Sequence, residues 1–107
     1  MANTFKNAAK AVGNTNTTLY TCPAATTAVI HAVFISNVDG VNDASIDVIV
    51  TDSSEGQDFH IMKTVNVPAD SSLVIEKPIN LEAADILKVK ASASGDLEAF
   101  ASVLEMT

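Results

Sequence analysis

Cys22 and His31 lie nine residues apart, a thiol and an imidazole of the kinds that form a nucleophile–base pair. Such a pair needs contact between the two and a third group that orients the base. Neither flank offers one: Cys22 directly precedes Pro23, and His31 stands among Val29, Val33 and Ile35. A free cysteine in apolar surroundings behaves as a small hydrophobe, so a structural role is expected for both. His60 is the second histidine, and two His with one Cys at these spacings make no zinc motif. The acidic stretches DGVND (39–43) and DSSEGQD (52–58) offer oxygen ligands for calcium. Neither matches the fixed ligand and glycine positions of an EF-hand loop, and Asp, Asn and Ser form turns in their own right. Paired carboxylates can hydrolyse glycosides, but the chain has no Trp and only Tyr20 as a sugar-stacking phenol. No phosphate loop, dinucleotide fingerprint or nucleophile elbow is present. The side chains thus predict no enzyme, no catalytic residue, no cofactor and no metal.

The elements that carry these residues are short. Clusters of Gly, Pro, Asn, Asp and Ser at 13–16, 23–26, 37–43, 52–58, 68–72, 76–78, 82–85 and 94–96 cut the sequence into apolar runs. The runs lie near 17–22, 27–36, 44–51, 58–67, 72–76, 86–93 and 97–105, with no helix-length gap between them. Val, Ile and Thr are abundant and Leu is sparse, which suits a pleated surface. Alternation agrees. Ile46, Val48 and Val50 share one face, as do Leu87, Val89, Ala91 and Ala93, with Lys88, Lys90 and Ser92 opposite. Phe59, Ile61, Val65 and Val67 share another, which Lys63 interrupts, so a bulge is expected there. The run AVIHAVFI (28–35) is apolar on both faces and predicts a central strand. The four phenylalanines are expected mostly on such apolar faces. In the first segment Phe5, Ala9 and Ala11 fit a strand face opposite Lys6 and Lys10, and a helix face also fits. An extended arm or strand is the preferred reading.

CPAATTAVI from residue 22 and VPADSSLVI from residue 67 nearly repeat each other. Proline cannot donate to a ladder, and Thr or Ser can hydrogen-bond a turn backbone. Both copies predict one kind of corner, where a strand ends and the next begins. The expected fold is an all-β antiparallel sandwich, jelly-roll or Ig-like, of about seven to nine short strands. Residues 1–14 would be an N-terminal arm or first strand, and 15–107 a single β-sandwich domain.

The chain of 107 residues carries thirteen acids against six lysines, no arginine, and a formal net charge of −7. Such a surface repels phosphate backbones and anionic membranes, so neither nucleic acid nor membrane is an expected partner. The N-terminal stretch lacks the apolar core of a secretory signal, and one cysteine makes no internal disulfide. Synthesis in a reducing cytoplasm is the expectation.

The order of three stretches resembles small virion proteins of tailed bacteriophages. They are the polar lead MANTFKNAAKAVGN, the run TTLYTCPAATTAVIHAVFISNVDG, and VNVPADSSLVIEKPINLEAADILKVKASASGDLEAFASVLE. In those proteins the pattern resembles a TTLYTxPA opening, a PAxSS corner and an LExGDxLxV step; here Ala84 stands where that step has Gly. The resemblance implies a non-enzymatic β-sandwich of the virion, made in the host cytoplasm and present in many copies. A capsid decoration (cement) protein on the outer shell fits the acidic, arginine-free surface best. Its partners would be the major capsid protein, or another virion protein, and copies of itself. The expected contacts are a sheet edge, a loop tip or the first dozen residues, with Phe5, Lys6 and Lys10 of the lead segment as the named candidates. A tail, neck or fibre component is the alternative. A carbohydrate-binding adhesion module is a third, to be favoured by aromatics exposed on one face.

Overall fold

A computed structural model describes residues 2–107. Among these residues nine strands run in chain order: β1 (Asn3–Ala11), β2 (Thr17–Thr21), β3 (Thr27–Asn37), β4 (Ala44–Asp52), β5 (Gln57–Val67), β6 (Ser72–Ile75), β7 (Ile79–Leu81), β8 (Ile86–Ala91) and β9 (Leu97–Met106). They form two antiparallel sheets, one ordered β1-β9-β3-β6 with β7 also on β3, the other β2-β8-β4-β5.

The pairings are nested. β1 pairs β9, β2 pairs β8, β3 pairs both β6 and β7, and β4 pairs β5. The chain is therefore one long antiparallel ribbon rolled up on itself, which is a jelly roll and not an Ig topology. The ribbon stays hydrogen-bonded where it turns from sheet to sheet. At one corner Cys22 N–H donates to Asp85 C=O and Ala84 N–H to Cys22 C=O, both at 2.9 Å. At another Asn37 N–H donates to Ser71 C=O at 2.8 Å and Asp70 N–H to Asp39 C=O at 3.2 Å. Backbone groups at sheet corners would otherwise lose their partners on burial.

The repeated PA(A/D) stretch occupies two of these corners, between β2 and β3 and between β5 and β6. Its third residue is left-handed in both copies, Ala25 at φ 55° and Asp70 at φ 57°. The Thr26 hydroxyl donates back to Ala24 C=O and the Ser71 hydroxyl to Pro68 C=O. The repeat is one corner used twice. The Glu82–Asp85 step between β7 and β8 has the same form, with Ala84 at φ 72° and Asp85 N–H on Glu82 C=O at 3.0 Å. A left-handed L-residue costs about 1–2 kcal/mol that glycine avoids. Glycine's extra freedom in the unfolded chain returns roughly 0.4–1 kcal/mol of that. Ala84→Gly is therefore expected to stabilise the fold by about 0.5–1 kcal/mol, read as a rise in urea midpoint at unchanged slope.

The core lies between the sheets. Ile30, Val33, Ile35, Ile46, Val48, Leu87, Val89, Leu97 and Val103 are all buried within it. Each such side chain contributes about 1.5–3 kcal/mol by leaving water. β5 departs from plain alternation. Its register against β4 shifts twice, between Ile46 and Val48 and again between Val48 and Ile49. Thr64, at φ 54°, marks the first bulge, and Asp47 Oδ1 accepts its N–H at 2.7 Å. The shifts put Met62 opposite Val48 and against the core, while Phe59 and Ile61 are exposed. A single apolar face through Phe59, Ile61, Val65 and Val67 does not exist, because two extra residues on an edge strand break the period of two.

Candidate interaction face

The sheet β1-β9-β3-β6 has a covered side and an open side. β3 is central, as its two apolar faces predict, yet only Ala28, Ile30, Val33 and Ile35 meet the core. Its other face points away from the second sheet. There the register sets Ala9, Phe100, Phe34 and Val74 side by side across four strands. Phe5, Leu104, Val29 and Asn80 make a second row. Phe34 and Phe100 contact each other at 6.3 Å between centroids, tilted by 57°. His31 bulges from β3 between Ile30 and Ala32, and its ring stacks on Phe5 at 6.4 Å. A shallow open groove runs between Ala9, Phe34, Phe100 and Glu98.

The phenylalanines do not fill the core. Phe5 is 78% exposed, Phe59 45%, Phe100 41% and Phe34 39%. Alternation places a side chain on a face but does not reveal whether that face is covered, and a Phe on a strand looks the same in either case. Glu98 is the single formally charged side chain on the strands of this face among the described residues. The outer face of the other sheet is different. Asp47, Asp58, Lys88 and Lys90 lie there, with Lys88 Nζ 3.8 Å from Asp58 and His60 Nε2 3.9 Å from Asp47. One broad face of an acidic sandwich thus carries clustered exposed phenylalanines and is nearly free of charge, as interface cores are.

The three residues expected to meet a partner are separated by the pleat. Phe5 joins the open face. Lys6 and Lys10 pair with Val103 and Ala99 of β9, and so point to the opposite side. Lys6 Nζ lies 3.3 Å from Glu105 Oε1. Glu105 is buried, and the Tyr20 hydroxyl of β2 donates to its other oxygen. Lys6, Glu105 and Tyr20 therefore join β1, β9 and β2 across the seam of the sandwich. This tie was not legible in the sequence, since Tyr20 and Glu105 are 85 residues apart. Burial, then the Glu105 carboxylate, pushes the Tyr20 phenol well above its usual range. The Tyr20 hydrogen bond, helped by Lys6 and opposed by burial, holds Glu105 below the usual carboxylate range.

The chemistry-bearing residues do not converge. Cys22 is buried in the core and donates to Thr26 C=O at 3.3 Å, whereas His31 is exposed on the open face. Burial, then the charges of Glu105 and Asp85, raises the Cys22 thiol, which is the wrong direction for a nucleophile. In the stretch 39–43, Asp39 caps its own turn, accepting Val41 N–H at 2.8 Å and Asn42 N–H at 3.2 Å. Asp52 does the same for Ser54 and Glu55. Asp52, Glu82 and Asp85 place carboxylate oxygens within 4.8 Å of one another, the arrangement best able to hold a hard cation among the described residues. The buried Asp85 is already engaged, accepting Ser53 N–H, the Ser53 hydroxyl and Glu82 N–H, each at 2.9 Å. Burial alone would raise its pKa, and these three donors outweigh burial and lower it.

Asp85 and Glu105 fix the sign of acid behaviour. A depressed folded pKa adds stability above the unfolded value of about 4, which is lost as pH falls through the folded value. The melting temperature is expected to stay level from about pH 5 to 8 and to drop below about pH 4. Glu105→Gln should make that drop shallower, as read by thermal scans across pH.

No protein-family model matches the sequence, and no curated protein matches it. Solved structures match in fold. A chain of the Bacillus endospore appendages, which form disulfide-linked pili, aligns with a TM-score of 0.56 at 14% identity, over 99% of this chain and 87% of that one. A chain of the acid-stable capsid of Helicobacter pylori bacteriophage KHP30 aligns at 0.55 and 11% identity, over 100% and 89%. A chain of infectious bursal disease virus, Gx strain, aligns at 0.54 and 11% identity, over 97% of this chain but 30% of that one. At such identities the likeness concerns the fold, a jelly roll that serves in a phage capsid, a virus and a pilus.

Proposed function

We propose that this chain is a non-enzymatic structural protein of a phage virion: a capsid decoration protein that sits on the outer shell, bound to the major capsid protein and to copies of itself. The observation that carries this reading is the open face of the β1-β9-β3-β6 sheet. Three phenylalanines and one carboxylate occupy a surface that a monomer would leave in water. The fold shared with capsid and appendage chains supports an assembling role, and the acidic surface without arginine suits a position away from packaged DNA. Phe5 contributes from β1 to the bound face. Lys6 and Lys10 point away from that face to the seam side, and exposed charges there add little to affinity and guide approach.

The test is cosedimentation of the purified chain with particles lacking it. Saturable binding that Phe34→Ser weakens, at unchanged melting temperature, supports the reading. Binding that Phe34→Ser leaves untouched refutes the proposed face.

A second reading takes the same face as a carbohydrate platform, because Phe5, Phe34 and Phe100 are exposed together. Phe lacks a polar edge, and on the strands of this face hydrogen bonds would come from His31, Glu98 and a few Ser, Thr and Asn side chains. Glycan binding sensitive to Phe100→Ser, without binding to particles, would select it. A tail, neck or fibre location keeps the same face and changes only the partner.

A further inference from the structure

Each sheet has two edges, and three of the four are blunted. β2 has five residues and a register shift between Thr18 and Tyr20. β5 carries two bulges and the left-handed Thr64. The edge beyond β3 is made of β6 and β7, four and three residues long, with Pro78 between them. Short strands, bulges, proline and edge lysines are the usual means of preventing strand addition. β1 is long and has no bulge and no proline; its two lysines, Lys6 and Lys10, point to the seam side, where Lys6 is paired with Glu105. Its nine residues pair with β9 in unbroken register, from Asn3 on Met106 to Ala11 on Glu98.

The hydrogen bonds at its ends show which backbone groups remain free. Ala2 and Thr107 exchange both bonds, and Val12 N–H donates to Leu97 C=O. Even-numbered residues of β1 therefore face β9, and Asn3, Phe5, Asn7, Ala9 and Ala11 direct their N–H and C=O to the open edge. We propose that this edge pairs with β1 of a second copy, antiparallel about a two-fold axis at Asn7, joining the two five-stranded sheets into one.

The length and sequence of β1 select that register, which alone pairs all nine residues, Asn3–Ala11. With Asn7 opposite Asn7, Phe5 faces Ala9, Asn3 faces Ala11, Lys6 faces Ala8 and Lys10 faces Thr4. A shift of one residue breaks the hydrogen-bond parity. Moving the axis by one residue toward the start of β1 sets Lys6 against Lys6, and by one residue toward its end sets Lys6 against Lys10. Like charges directly opposite are destabilising. The small Ala9 leaves room for the large Phe5 of the other copy, beside the Phe100 that Ala9 already neighbours. The two apolar faces then become continuous and remain open to a shell, so the pairing stands independently of what that shell is.

The experiment uses the free chain in solution. Sedimentation equilibrium should give a concentration-dependent dimer. Asn7→Pro removes an N–H that points to the open edge and leaves the β9 ladder intact, so it should weaken dimerisation by about 100-fold at unchanged melting temperature. Register is read separately, in a Cys22→Ala background. Thr4→Cys and Lys10→Cys chains, mixed under mild oxidation, should form a disulfide-linked heterodimer, because their Cα atoms would lie about 4.5 Å apart. Neither chain alone should cross-link efficiently. A monomer at every concentration, or a dimer that cross-links equally well with either chain alone, overturns the proposal. If Asn7→Pro does not fold, the cross-linking result decides.

Discussion

Replacing Asn37 with Leu is expected to cost about 3 kcal/mol of stability and to lower the melting temperature by roughly 10–20 °C. Asn37 is 4% exposed at the end of β3, where the chain leaves for the 38–43 loop. Its amide nitrogen donates to Asn42 C=O at 3.0 Å and to Val67 C=O at 2.9 Å. Its oxygen accepts Asp39 N–H at 2.9 Å. One side chain thus satisfies three backbone groups from the loop and from the end of β5. Leucine has similar volume and no polar atom, so the packing survives while those partners are lost. An unsatisfied buried polar group costs about 1–3 kcal/mol, and loop relaxation toward water recovers part of the total. Asn37→Asp keeps the acceptor but turns a charge toward two carbonyls, and should be no better. Urea denaturation measures both, and a loss below about 1 kcal/mol for Asn37→Leu would show that the loop is not held this way.

The second large effect is on assembly. Phe100 lies in the middle of the open face, between Ala9 and Phe34. Phe100→Asp should leave the melting temperature within a few degrees, since the ring makes no core contact. It should weaken binding to particles by at least about 100-fold, because a central aromatic anchor contributes about 2–4 kcal/mol and a desolvated carboxylate opposes docking. Equal binding of wild type and variant, measured by cosedimentation, would remove this face from the interface. Aggregation of the wild type that the variant relieves would support it.

Much of the architecture was legible because strands announce themselves by a period of two and by turn residues. The seven apolar runs correspond to β2 to β6, β8 and β9, and the bulge expected at Lys63 is present beside Thr64. The corner repeat was legible for the same local reason: proline, a left-handed position and a hydroxyl are a self-contained device. β7 was missed because three residues between Pro78 and a turn carry no period. The nesting of the ribbon was not legible, since it depends on pairings such as Ala8 with Ala101 that no local pattern encodes. The interaction face was hidden for a deeper reason. Phe5, Phe34 and Phe100 have the residue type and alternation of core positions, and only the absence of a covering layer separates them from Ile35 or Val33. The lysines of β1, chosen for their charge, lie on the seam side, and Lys6 serves Glu105 there.

A reconstruction of the purified particle at side-chain resolution bears most directly on the decoration reading. The expected result is density for this jelly roll on the outside of the capsid shell, with Phe34 and Phe100 turned onto the shell and the Lys88 and Lys90 face in solvent. Density in the tail or inside the head, or on the shell with the phenylalanine face open to water, would contradict it.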